Sequence, residues 1–171
     1  MYAGTLNARY GILELLQAFA TIEDTHVQLM ICGDGDSEDV VRKAAAADDR
    51  IRYLGRVSHS EALVLQSKAT ILVNPRRNDE EFAKYSFPSK ILEYMSVGRP
   101  IIAYELDGMP PEYRDYISYV QGEGVAPLAQ AIRDLCDLSD DQLNAMGASS
   151  QRFVHEHKNP RVQARRILES L

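Results

Sequence analysis

The chain has 171 residues, of which 45% are hydrophobic and 26% charged, and its formal net charge is −6. This size and composition are those of one ordinary globular domain, and no apolar run approaches the roughly 18 residues that a membrane-spanning helix requires. The acidic balance excludes a broad nucleic-acid-binding surface, so any phosphate site must be local. The two cysteines, Cys32 and Cys136, lack metal-ligand spacing and are predicted to be small buried side chains.

Short apolar runs alternate with longer amphipathic segments, which is typical of a parallel sheet covered by helices. The predicted strands are residues 1–4, 27–32, 51–54, 70–73, 101–104 and 117–120. The predicted helices are residues 12–19, 37–47, 60–66 with Ser60 as N-cap, 88–97, 125–135, 140–157 and 161–170. The pattern predicts an α/β fold, a Rossmann-like three-layer sandwich with a parallel sheet of about six strands and C-terminal helices.

The first predicted strand begins almost at Met1, without a preceding helix, cap or linker. Strands that open a parallel sheet usually lie at its centre. We therefore expect residues 1–171 to be a single domain taken from a longer protein. The opening residues also lack the features of a secretory signal, which predicts a cytoplasmic location.

Ligands of open parallel sheets bind beyond the carboxyl ends of the strands, so the loops there are candidate sites. The turn Gly33-Asp34-Gly35 resembles the start of a dinucleotide-binding fingerprint, but Glu38 replaces the third glycine. Together with Asp36, these acidic side chains would repel a pyrophosphate. The pattern disfavours NAD binding, and the structural alternative is a tight turn whose acidic residues stabilise the start of the following helix.

Residues 74–95 form the richest segment, a long polar loop that leads into a helix. Pro88 suits the first helical turn, where free N–H groups and the helix dipole attract anions, and Lys84 and Lys90 add positive charge. Glu93 has two interpretations. It accepts hydrogen bonds from vicinal hydroxyls of a ribose, or it forms a solvated ion pair with Lys90 three residues earlier.

Several segments, in this order and spacing, resemble family 4 (group 1) glycosyltransferases. They are Tyr-Ala-Gly-Thr-Leu at 2–6, Ile-Cys-Gly-Asp-Gly at 31–35, Ile-Arg-Tyr-Leu-Gly-Arg-Val at 51–57, Ala-Thr-Ile-Leu-Val-Asn-Pro at 69–75 and Tyr-Ser-Phe-Pro-Ser-Lys-Ile-Leu-Glu-Tyr-Met at 85–95. The match extends through 96–103 and 108–113 and covers about residues 1–120.

The resemblance implies the donor-binding, C-terminal half of a bacterial enzyme of GT-B architecture. It implies retaining transfer of a sugar from a nucleotide diphosphate donor, with a UDP-sugar favoured and no required metal or other cofactor. The acceptor, a glycan or lipid-linked sugar in polysaccharide biosynthesis, would bind an N-terminal domain that is absent here. The whole enzyme would act in the cytoplasm, with the inner face of the membrane as one location for peripheral association.

The resemblance also implies roles for particular residues but assigns no catalytic residue to this half. Glu93 aligns with the second glutamate of the E-x7-E signature, which binds the ribose. Residues 55–58 would face the base, and residues 86–90 the diphosphate and sugar. The predicted donor-binding set is Gly4, Thr5, Arg9, Gly33, Asp34, Arg56, Val57, Asn74, Lys84, Tyr85, Ser86, Phe87, Pro88, Ser89, Lys90 and Glu93.

The sequence departs from the family pattern at three positions. Tyr85 replaces the first glutamate of the signature, and Thr5 and Tyr10 replace the usual arginine and lysine of the first glycine-rich loop. Nearby cations would have to substitute, and Arg9, Lys84 and Lys90 are the candidates. The identity of the donor sugar is the property most affected by the loss of the first glutamate.

Two alternatives remain beside the transferase. The first is a non-catalytic nucleotide-sugar-binding or interaction module, in which the three departures mark a lost activity. The second is a UDP-sugar 2-epimerase-like enzyme on the same architecture, which needs acid–base side chains in the cleft. Of the four histidines only His59 is placed for that role, which disfavours the epimerase.

Overall fold

The computed structural model describes residues 1–78, 89–159, 161–162 and 168. The strands are β1 (Tyr2–Ala3), β2 (Leu29–Cys32), β3 (Ile51–Tyr53), β4 (Leu72–Asn74), β5 (Ile101–Ala103) and β6 (Ser118–Tyr119). The helices are α1 (Ile12–Ala20), α2 (Glu38–Ala47), α3 (His59–Lys68), α4 (Ser89–Ser96), α5 (Val125–Cys136) and α6 (Asp140–His157), with 3₁₀ helices at Ala8–Tyr10 and Pro111–Tyr116. The predicted α/β order is confirmed, and the helix predicted at 161–170 lies largely outside the described residues.

Local sequence sets the ends of the helices. The Ser58 side chain accepts a hydrogen bond from the Glu61 N–H while Glu61 reaches back to the Ser58 N–H, a capping box that starts α3. The predicted N-cap at Ser60 was therefore wrong by two residues. Ser139 and Gln142 form the same arrangement at the start of α6.

The strands form two parallel sheets of three strands each, in the orders β1-β2-β3 and β4-β5-β6. The single sheet of about six strands that the sequence predicted is thus incorrect. The inner strands, β1 and β4, face each other, and two backbone hydrogen bonds join their segments at Met1. The Met1 amino group donates to the Ile71 carbonyl at 2.7 Å, and the Met1 carbonyl accepts from the Val73 N–H at 2.9 Å.

The side chain of Tyr94 explains why pairing between the inner strands ends after Met1. The Ala3 N–H donates to the Tyr94 hydroxyl at 2.9 Å, and this hydroxyl donates to the Ala3 carbonyl at 3.1 Å. The residue that follows β4 is Pro75, which has no N–H with which to continue the ladder. A helix α4 side chain therefore occupies the hydrogen-bonding groups that a neighbouring strand would otherwise use.

One hydrophobic core spans both sheets. Its largest fully buried side chains include Phe19, Leu6, Ile12, Leu15, Ile31, Leu72, Ile91, Met95, Ile101, Ile102 and Leu128. Helix α6 packs closely beside α4 because Gly147 has no side chain: a Cβ there would lie 2.1 Å from the Gly98 carbonyl oxygen. Cys32 is buried as predicted, whereas Cys136 is exposed near the end of α5, which corrects the second cysteine prediction.

Candidate functional site

A cavity of about 290 Å³ opens at the carboxyl ends of β1 and β4. The described residues that line it are Tyr2, Ala3, Gly4, Thr5, Tyr10, Asn74, Arg76, Ser89, Lys90 and Tyr94. The strand order reverses between β1 and β4, and such a switch point is where open parallel sheets bind their ligands. The cavity lies where the Tyr94 hydroxyl separates the two inner strands.

The cavity is cationic although the chain as a whole is acidic. Arg76 and Lys90 are among its described lining residues, and no aspartate or glutamate is. Ser89 is the first residue of α4, so the positive end of the helix dipole lies at the same place. The Arg76 guanidinium carbon lies 5.5 Å from the centroid of the Tyr10 ring, within cation–π distance. This combination favours an anionic ligand.

Glu93 lies one turn into α4 from the cavity and is firmly held. Its Oε1 accepts hydrogen bonds from Gln66 Nε2 at 2.7 Å and from Lys90 Nζ at 2.8 Å. The Nδ1 atom of His59 lies 3.7 Å from the other carboxylate oxygen, Oε2. The Glu93 side chain is 19% exposed, so the carboxylate is neither solvated nor fully removed from solvent.

These neighbours keep Glu93 ionised. Burial raises the pKa of Glu93, but the hydrogen bonds from Lys90 and Gln66 and the positive charge of Lys90 lower it more, so its pKa lies below the ordinary glutamate value. Gln66 is itself completely buried, and its amide oxygen has no hydrogen-bond partner among the described residues. A buried amide that keeps one bond to a carboxylate fixes the direction of that carboxylate.

The ion pair that the sequence proposed for Glu93 therefore exists, but it is half-buried rather than solvated. The ion pair and ribose binding are compatible, because Lys90 and Gln66 contact only one carboxylate oxygen. The structure adds Gln66 and His59 to the site.

The glycine turn after β2 serves a packing role at the same edge. A Cβ at Gly33 would lie 1.8 Å from the Gly4 carbonyl oxygen, and a Cβ at Gly35 would lie 2.5 Å from that of Leu6. Both glycines have positive φ angles, 137° and 149°. Close approach to the loop after β1 thus explains both glycines without a dinucleotide, and Gly33 holds Gly4 beside the cavity.

The structure places several of the described residues of the predicted donor-binding set around the cavity. It brings Gly4, Thr5, Asn74, Ser89 and Lys90 together around the cavity, with Glu93 beside Lys90. Residues 84–88 lie outside the described residues.

The remaining predicted residues lie nearby but outside the cavity lining. Gly33 and Val57 belong to neighbouring loops, and Asp34 forms an exposed ion pair of 3.6 Å with Arg56. Arg9 lines a separate cavity of about 240 Å³ together with Glu14 and Arg77.

Six residues of this site are absent from the predicted donor-binding set: Tyr2, Tyr10, Arg76, Tyr94, His59 and Gln66. Of these, Tyr10 was named from the sequence only as a departure from the family pattern, and His59 only as an acid–base candidate. Arg76 could have been added to the predicted site from the sequence, because it lies in a basic cluster three residues after a predicted strand. Gln66 could not, because a buried glutamine on a largely polar helix leaves no trace in the apolar periodicity.

Two negative findings apply to the described part of the chain. No group of three or more His, Cys, Asp or Glu side chains there is arranged to hold a metal ion. None of the helices found in those residues combines the length and the apolar character needed to cross a membrane.

The structure defines a Rossmann-like α/β domain with a cationic cavity at its topological switch point. Residues 1–138 match the family described as glycosyl transferases group 1. The chain belongs to this family, as its sequence motifs predicted.

Two of the similar proteins described next are longer than this chain, and the third is an isolated domain. A phosphatidyl-myo-inositol mannosyltransferase from Mycobacterium leprae is 30% identical over 109 residues, which are 63% of this chain and 28% of that protein. Anabaena HepE in complex with UDP aligns with a TM-score of 0.76 and 17% identity over 99% of this chain and 49% of HepE.

A third similar protein is the C-terminal domain of the group 1 family glycosyl transferase LpcC from Francisella tularensis. It aligns with a TM-score of 0.75 and 15% identity over 93% of this chain and 86% of that domain. The chain thus spans 28% of the mannosyltransferase and 49% of HepE but nearly all of an isolated C-terminal domain. These structural similarities show a Rossmann-like domain of GT-B type.

Proposed function

We propose that residues 1–171 form one nucleotide-sugar-binding domain of a retaining glycosyltransferase and that its donor is a nucleotide diphosphate sugar, with UDP-sugars favoured. The whole enzyme transfers the sugar to a glycan or lipid-linked acceptor that a second domain binds. The observation that carries the proposal is the cationic cavity at the switch point with the ionised Glu93 beside it.

The diphosphate would occupy the cavity itself. Lys90 and the N-terminus of α4 supply positive charge on one side, and the loop of Gly4 and Thr5 forms the other. Gly4 has no Cβ to hinder the approach of a phosphate, and Thr5 is exposed with a hydroxyl that can donate. Helix N-termini and glycine-containing loops are the usual means by which proteins hold phosphates.

Glu93 would bind the ribose. Its Oε1 is committed to Gln66 and Lys90, which leaves lone pairs on Oε2, the oxygen that faces the exposed imidazole of His59. A carboxylate held in one direction is a strong acceptor for two vicinal hydroxyls. Because Glu93 lies one helical turn from Lys90, the ribose and diphosphate subsites would be adjacent, as in a nucleotide.

The similar proteins support this donor class. HepE forms a complex with UDP, and the protein from Mycobacterium leprae is named as a mannosyltransferase. The proposed mechanism needs no bound metal, because protein cations and the α4 dipole would balance the charge of the departing diphosphate. Retention of configuration follows from the family resemblance.

Calorimetric titration of the chain with UDP and GDP tests the proposal. We expect UDP to bind more tightly than GDP and Glu93→Gln to weaken UDP binding about tenfold, since a charged hydrogen bond contributes about 1.5–3 kcal/mol. Lys90→Ala should weaken it comparably.

Lys68→Ala is the matched control, because Lys68 lies on α3 at the opposite edge of the fold. Its affinity for UDP should stay within about twofold of the parent value. Folded protein that binds neither nucleotide would refute the donor-domain proposal and favour an interaction module.

A further inference from the structure

The loop after β1 and the loop after β4 are in direct backbone contact. Gly11 has a positive φ of 80°, and a Cβ at this position would lie 2.1 Å from the Pro75 carbonyl oxygen. Only a glycine permits this approach without displacement of the backbone. The contact places Tyr10, the residue before Gly11, next to Arg76, the residue after Pro75.

Tyr10 and Arg76 form a stacked pair in the wall of the cavity. The Arg76 guanidinium carbon lies 5.5 Å from the centroid of the Tyr10 ring, and both residues line the cavity. A guanidinium over an aromatic face is attracted by the negative electrostatic potential of the ring. The ring also restricts the rotamers of a long, flexible side chain, so the charge is held where it is needed.

Lys90 alone cannot balance a diphosphate. Its Nζ is 2.8 Å from Glu93 Oε1, so this pair together adds no net charge to the site. A nucleoside diphosphate brings two to three negative charges, and the α4 dipole offers only about half of one positive charge. Arg76 is the other cation among the described lining residues. A planar guanidinium also matches phosphate oxygens with two parallel donors.

We propose that Arg76 is a diphosphate-binding cation of this cavity and that Tyr10 positions it. The inference rests on the proposed donor-binding function and deepens it by naming the residue that distinguishes a diphosphate from a monophosphate. It assigns no such role to Arg9, which lines a separate cavity with Glu14 and Arg77.

The test is calorimetric titration of the parent chain and its variants with UDP and UMP. Arg76→Ala should weaken UDP binding about tenfold and UMP binding less, so that the preference for UDP largely disappears. Arg76→Lys should restore part of the affinity, because it keeps the charge but loses the planar fork. The exposed α6 variant Arg152→Ala is the matched control and should keep the parent preference, and Arg9→Ala tests the competing assignment of the cation.

Variants of Tyr10 test the positioning role. Tyr10→Leu should weaken UDP binding about threefold, whereas Tyr10→Phe, which keeps the ring, should bind like the parent. Tyr10→Lys in the Arg76→Ala protein should recover UDP binding, because Tyr10 lines the same cavity. Thermal unfolding of each variant shows whether a loss of binding reflects a loss of folding.

Two outcomes overturn the inference and differ from failure of the proposed function. If Glu93→Gln abolishes UDP binding while Arg76→Ala leaves the UDP preference intact, the donor site stands and the role of Arg76 is refuted. If Arg9→Ala removes the preference instead, the cation has been misassigned. Absence of any UDP binding by the parent chain would refute both proposals.

Discussion

Two cavities lie at opposite ends of the same central strands and differ in chemistry. The cavity at the carboxyl edge holds about 290 Å³ and is lined by tyrosines, cations and small polar residues. The cavity at the amino edge is larger, about 540 Å³, and has many apolar side chains, among them Phe19, Leu29, Ile71 and Ile132. On volume alone, the amino-edge cavity would be chosen as the ligand site.

In a parallel sheet, position at the carboxyl edge is a better guide to a ligand site than cavity volume, and on this ground we place the proposed donor site in the smaller cavity. At the carboxyl edge the α4 N-terminus and the glycine-containing loops present N–H groups and leave room for a ligand. The amino edge is where the strands begin, and its cavity is lined by Met1 just before β1, by Leu29 at the start of β2 and by Ile71 just before β4. Substitutions that alter one edge and spare the other can therefore test the comparison.

The largest effect is expected from Gly33→Ala, which forces the carboxyl-edge loops apart. Its Cβ would lie 1.8 Å from the Gly4 carbonyl oxygen, and its φ of 137° is one that alanine rarely adopts. We expect the free energy of unfolding to fall by about 3 kcal/mol, the sum of backbone strain and overpacking. Urea titration followed by circular dichroism measures it.

Gly55→Ala is the control for this prediction. Gly55 also has a positive φ, 69°, but a Cβ there would meet nothing within 4 Å. The expected loss is about 1 kcal/mol, from strain alone. Equal losses for the two variants would show that the contact between the β1 and β2 loops contributes little.

Tyr94→Phe should cause the second largest loss of stability. The Tyr94 hydroxyl takes the place of backbone hydrogen bonds that would otherwise join the two sheets. Its removal leaves the N–H and carbonyl of Ala3 without their buried partner. We expect a loss of about 2 kcal/mol in the free energy of unfolding, measured by urea titration.

Tyr53→Phe is the matched variant for Tyr94→Phe. It removes a single hydrogen bond to the Gly33 carbonyl, in a partly buried setting. The expected loss is about 1 kcal/mol or less. A Tyr94→Phe protein as stable as the parent would mean that β1 and β4 can pair further along, closing the cavity.

The smallest effect concerns pH. The pKa of Glu93 is lower in the folded chain than in the unfolded chain. The ionised carboxylate therefore stabilises the fold at pH values above the unfolded pKa of about 4.3, and this stabilisation is lost as the pH falls through the folded pKa. The stability difference between the parent and Glu93→Gln should therefore shrink as the pH falls from about 5 to about 3.

Urea titrations at several pH values measure this trend. The control Lys68→Ala, which changes the amino edge, should follow the pH dependence of the parent. A Glu93→Gln protein with the same pH dependence as the parent would contradict the ionised, hydrogen-bonded state of Glu93.

The sequence predicted the elements well because each prediction rested on local physics. The buried run 27–32 contains β2, and the helical spacing from Val125 onwards predicts α5 and α6. The carboxyl-edge loops follow directly from the order of the strands. The start of α3 was misplaced because two serines lie close together: Ser60 lies two positions after the true cap, Ser58.

The sequence by itself thus determined the alternation of strands and helices, the family, and the segments that meet at one edge. Only the tertiary structure decided that the sheet divides at Tyr94, that Gln66 holds Glu93, and that Arg76 stacks on Tyr10. Each of these contacts joins residues far apart in the chain. The apolar periodicity of a segment shows which of its faces is buried, but it does not show which side chain of another segment packs against that face.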